Sequence, residues 1–110
     1  MSTVTTHVLD TALGQPAAGV PVSLERLDAA LTTIAEGATD GDGRVGELGP
    51  DRLEPGPYQL SFDTDAYFAA TGRTGFFPEV TIAFTIADGG EHYHVPLLLS
   101  PFSYSTYRGS

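Results

Sequence analysis

Apolar residues recur at every second position through several short stretches of the chain, and a period of two predicts β-strands. Tyr58, Leu60 and Phe62 alternate with Gln59 and Ser61, and Val80, Ile82, Phe84 and Ile86 form a second such row. Tyr93, Val95, Leu97 and Leu99 form a third. Runs rich in Val, Thr, Ile, Phe and Tyr predict strands over 3–10, 20–27, 31–36, 44–48, 58–63, 79–87, 92–99 and 102–107. About eight strands suffice for two stacked sheets. The stretch from Thr64 to Ala70 breaks the alternation and predicts one short helix, capped by Thr64 or Asp65 and stopped by Gly72. Asp-Gly pairs at 40–41, 42–43 and 88–89 accept the positive φ of tight hairpins. Asp88-Gly89-Gly90 is therefore expected to join two antiparallel strands. The predicted fold class is all-β, a sandwich with one helical excursion.

Composition then narrows the classes of function. A chain of 110 residues, with its Gly and Pro scattered as turn punctuation, fits one domain over 1–110. It has no cysteine, which excludes disulfides and thiolate zinc sites. Fourteen acidic side chains face five arginines and no lysine, for a formal charge of -9. Such a surface repels phosphate and argues against nucleic acid as a partner. No apolar run approaches the roughly 20 residues that span a bilayer. The opening MSTVTTHVLD has neither the basic start nor the apolar middle of a secretory leader. A cytoplasmic protein with no membrane partner is expected.

The candidate chemistry lies with the histidines. His92 and His94 share one face of a strand, opposite Tyr93 and Val95, whose apolar row reads as core. In the first strand Val4 and Val8 read as core, which turns His7 outward with Thr5 and Leu9. Parity thus sends all three imidazoles away from the interior. Three readings fit that placement. The rings could be ordinary surface histidines, or a His-x-His pair plus a third ligand could hold zinc with an open position. They could also exchange protons at neutral pH, where imidazole titrates. Arg44 follows the turn Asp40-Gly41-Asp42-Gly43 and offers either a solvated charge or a planar fork for a carbonyl or oxyanion. That turn lacks the ligand spacing of a calcium loop. The aromatic stretch from Phe102 to Tyr107 predicts a C-terminal tail packed almost to its end, through Arg108 and Ser110.

Three segments carry a resemblance: Thr6-His7-Val8-Leu9-Asp10, the run from Leu97 to Thr106, and the closing Tyr107-Arg108-Gly109-Ser110. Together they resemble the transthyretin-related proteins along essentially the whole chain, and the closing tetrapeptide is similar to that of the 5-hydroxyisourate hydrolase branch. By the same resemblance, the hormone-carrier branch has Lys, Glu and Thr where this chain has His7, Arg44 and His94. The resemblance implies a transthyretin-like β-sandwich of two four-stranded sheets, assembled as a homotetramer, a dimer of dimers with sites in the channel between dimers. It also implies hydrolysis of the N1–C6 amide bond of 5-hydroxyisourate in uric acid degradation, without a cofactor or metal. His7, Arg44, His94 and Ser110 are then the expected catalytic groups. His7, Arg44, His92, Tyr107 and Arg108 are expected around the substrate, with Tyr107 and Arg108 shaping the tail. A non-catalytic binding protein for a small aromatic ligand is the alternative, and a zinc hydrolase a further one.

Overall fold

The computed structural model describes residues 2–110. Its elements run β1 (Val4–Asp10), β2 (Gln15–Pro16), β3 (Pro21–Arg26), β4 (Thr32–Ala38), β5 (Arg44–Val45), β6 (Gly56–Phe62), α1 (Thr64–Ala70), β7 (Val80–Ile86), β8 (Tyr93–Ser100) and β9 (Ser103–Thr106). They form the two sheets that alternation predicts. One orders β4-β3-β6-β7 and is antiparallel throughout. The other orders β2-β1-β8-β9, with β5 also paired to β1. The first sheet has the expected four strands. The second has five, because Gln15–Pro16 pairs with the end of β1, and two residues are too few to carry an alternation signal.

Burial follows the period of two. In β1, Val4, Thr6, Val8 and Asp10 are buried while Thr5, His7 and Leu9 are half-buried. In β8, Tyr93, Val95, Leu97 and Leu99 point into the sandwich and His94 does not. They meet Leu24, Leu60, Phe62 and Ile86 from the opposite sheet in one core. Burying each such aliphatic or phenyl side chain contributes about 1.5–3 kcal/mol.

Three local expectations are corrected. β7 pairs with β6 in one sheet, and β8 pairs with β1 and β9 in the other, so Asp88-Gly89-Gly90 carries the chain between sheets and closes no hairpin. A Cβ on Gly89 would lie 1.8 Å from the Leu53 carbonyl oxygen, so close packing accounts for this glycine. The helix is capped by Asp63, whose carboxylate accepts from the Ala66 N–H at 3.0 Å. Thr64 is already helical, and its buried hydroxyl donates to the Phe77 carbonyl. Gly72, at φ +70°, follows the helix end as expected. Finally, the tail is anchored but only partly packed within one chain: the Tyr104 ring meets Phe77 edge-on with centroids 5.2 Å apart, while the other two rings stay open. Phe102 and Tyr107 are 75% and 58% exposed. The anchors are polar: Thr106 Oγ1 donates to the Pro96 carbonyl at 2.7 Å, and the Gly109 N–H donates to the His94 carbonyl at 2.8 Å.

No helix among the described residues is long and apolar enough to cross a membrane.

Candidate active site

The turn before β5 places the first site residue. The Asp40 carboxylate accepts from the backbone N–H groups of Asp42 at 2.9 Å and Arg44 at 3.0 Å. These bonds, Arg44's foremost, hold its carboxyl below the usual range. Gly43 has φ +77°, and a Cβ there would lie 2.4 Å from the Val8 carbonyl oxygen, so only glycine lets the turn lie against β1. Arg44 consequently starts β5 directly opposite His7.

His7 Nε2 donates to the Asp42 carbonyl at 2.9 Å. A carbonyl can only accept, so Nε2 carries the hydrogen and the neutral ring keeps its lone pair on Nδ1. On the other side of β1, the parallel ladder sets Thr5 opposite His94. An isolated bridge from His94 to Gly109 then brings the terminal Ser110 alongside. The result is a concavity of about 260 Å³ lined by Thr5, Arg44, His92, His94 and Ser110, together with Thr6, Val45 and Gly46. His7 stands at its edge beside Arg44 and does not itself line it.

The electrostatics favour a neutral ring at His94. Burial lowers its pKa, and the charges of Arg44, His7 and His92 lower it further, against a smaller opposing effect of the Thr5 backbone as a hydrogen-bond partner. A neutral imidazole beside a guanidinium can take a proton from water while the guanidinium faces a developing oxyanion.

The structure brings together Arg44, His92, His94 and Ser110, with His7 adjacent. It does not bring Tyr107 or Arg108 to that concavity. Both line a separate groove of about 240 Å³ with Phe84, Tyr93 and Val95. The Arg108 guanidinium lies 4.4 Å from the Tyr93 ring centroid and 3.7 Å from the Glu91 carboxylate. Arg108 thus fastens the tail to the start of β8. Nor do the histidines converge as metal ligands. The His92 and His94 rings are 6.4 Å apart with the Thr5 hydroxyl bonded to both. Among the described residues, no group of three or more His, Cys, Asp or Glu is arranged to hold a metal ion.

Thr5 and Gly109 are the parts of the site to which the sequence assigned no role, whereas the Asp40–Gly43 turn was expected and Gly43 adopts its positive φ. Parity put Thr5 on the histidine face, but its contact with His92 and His94 depends on the β1–β8 register, which alternation does not specify.

Comparison with known proteins identifies relatives of the whole chain. The chain is 49% identical to the 5-hydroxyisourate hydrolase of Mus musculus, over 99% of this chain and 96% of that one. The structure of Klebsiella pneumoniae 5-hydroxyisourate hydrolase matches with a TM-score of 0.87 and 41% identity, covering 97% of this chain and 98% of the other. Transthyretin from Sparus aurata matches with a TM-score of 0.92 and 34% identity, covering 99% and 97%. Fold likeness therefore does not separate the branches. The model of the HIUase/Transthyretin family matches residues 4–109, and the chain belongs to that family.

Proposed function

We propose that this protein is an enzyme of uric acid degradation that hydrolyses 5-hydroxyisourate at its N1–C6 amide bond. The observation that carries the reading is the convergence of Arg44, His94 and Ser110 on one concavity, with His7 paired to Arg44, in a chain so similar to 5-hydroxyisourate hydrolases.

In this mechanism neutral His94 takes a proton from water as the oxygen adds to C6. Arg44 faces the oxygen of the attacked carbonyl and stabilises its negative charge. Collapse of the tetrahedral intermediate breaks the C6–N1 bond. The proton returns to N1, which leaves as the ureido nitrogen, and C6 becomes the carboxylate of 2-oxo-4-hydroxy-4-carboxy-5-ureidoimidazoline. His7, held at Nε2 by Asp42, orients water or substrate through its other face. Ser110 contributes a hydroxyl and a terminal carboxylate beside His94 and needs no covalent step. Tyr107 and Arg108 act as tail anchors, and His92 acts through Thr5. The chemistry requires no cofactor.

The same proposal includes a homotetramer, a dimer of dimers. It is supported by the exposure of Phe76, Phe102 and Tyr107, at 70%, 75% and 58%, and by a site that is shallow in one chain. Action in the cytoplasm also belongs to it, since a cysteine-free fold needs no oxidising compartment.

Replacing His7 with Asn, Arg44 with Gln or His94 with Asn is expected to lower kcat/KM by about 10²–10⁴-fold. Light scattering should show each variant as a particle of four chains, like the wild type. Wild-type turnover in all three would remove the assignment of the site.

A further inference from the structure

Thr5 Oγ1 lies 2.8 Å from Nε2 of His92 and 2.8 Å from Nδ1 of His94. A hydroxyl has one hydrogen and two lone pairs. It can bond both neutral rings by donating to one and accepting from the other. It cannot serve two nitrogens that both present lone pairs. The Thr5 hydroxyl therefore links the two rings, at least one of which must present an N–H to it.

The other nitrogen of His94 makes this link matter. Nε2 has no hydrogen-bond partner among the described residues and is not sealed from solvent. Around the ring stand His7 on β1, Arg44 on β5, His92 on the same segment, and Gly109 with the Ser110 carboxylate at the tail. None is bonded to Nε2. Were its hydrogen on Nε2, neutral His94 would present a donor to the open side, and water would find no base there. With the hydrogen on Nδ1, Nε2 offers its lone pair.

We infer that Thr5 is a positioning residue for the hydrolysis: it accepts from His94 Nδ1–H and donates to His92 Nε2, which holds the His94 lone pair on the open Nε2. His92 thereby serves the site without touching substrate, as the acceptor that orients the Thr5 hydroxyl. This rests on the hydrolase reading, and its test includes a measurement that needs no turnover.

Thr5→Val keeps the β-branched shape and removes the hydroxyl, whereas Thr5→Ser keeps the hydroxyl. For Thr5→Val, kcat is expected to fall about tenfold or more with KM little changed, because the base and not the binding is disturbed. Thr5→Ser should stay within about threefold of wild type. Long-range ¹H–¹⁵N NMR of the imidazoles should show His94 as the Nδ1–H tautomer in the wild type and in Thr5→Ser, with Nε2–H appearing in Thr5→Val. An Nε2–H tautomer at His94 in the wild type overturns the inference, even if Thr5→Val does not fold. So does unchanged kcat in a folded Thr5→Val, or a loss confined to KM. Absence of turnover in the wild type would remove the hydrolase reading, while the tautomer of His94 would still decide the role of Thr5.

Discussion

His94 is held by contacts with the tail as well as with β1. Gly109 lies against its ring: a Cβ at that position would sit 2.6 Å from Cδ2 and 3.4 Å from Pro96 Cγ. Such a separation is too short to persist, so Gly109→Ala must displace either the ring or the tail. A misplacement of this order is expected to lower kcat about 10–100-fold. The melting temperature should move little, since the tail is exposed. Steady-state kinetics beside a thermal melt checks this, and unchanged kcat would show that the ring accommodates the methyl group. The outward placement of His7 and His94 was legible from strand parity, and candidate roles for His7, Arg44 and His94 were legible from the family resemblance. Those of Thr5 and Gly109 were not. Their roles arise from a β1–β8 register and a one-residue bridge that no local pattern encodes.

Among the elements, α1 and β1 are tied by a buried carboxylate. Asp10 is fully buried and accepts from the Tyr67 hydroxyl at 2.7 Å, from Arg73 Nη2 at 2.5 Å and from the Leu13 N–H at 3.1 Å. Burial alone would raise its pKa, but the bonds from Arg73 and Tyr67 outweigh burial and lower it. Arg73 also lies 5.1 Å from the Phe68 ring centroid, so the helix end, the following loop and β1 share one polar knot. Asp10→Ala leaves the guanidinium and phenol without their acceptor, and a cost of about 3–5 kcal/mol is expected in chemical denaturation. A folded-state pKa below the unfolded value means that this stabilisation is complete above the ordinary aspartate pKa of 3.8 and is lost as pH falls below it. The difference between wild type and variant should therefore shrink on acidification through that range, and a constant difference would contradict the role of the charge. Strands were legible at this scale wherever alternation ran for five residues or more. The misread elements were those set by tertiary contact. Gln15–Pro16 is a strand only because β1 is beside it, and Gly89 is a glycine because Leu53 is beside it.

At the scale of the whole molecule, the fold is common to proteins of different function. This chain superposes on a 5-hydroxyisourate hydrolase and on a transthyretin with TM-scores of 0.87 and 0.92. Function must therefore be argued from the site. The charge balance then takes on local meaning. In a chain with a formal charge of -9 and no lysine, a guanidinium stands directly across from His7 and lines the same concavity as His94. The most direct measurement is the decay of freshly generated 5-hydroxyisourate, followed with and without the wild-type protein and repeated in the presence of a chelator. The account predicts acceleration over spontaneous breakdown that the chelator leaves intact. Decay at the spontaneous rate would contradict it and favour a binding protein, and acceleration abolished by the chelator would contradict it in favour of a zinc hydrolase.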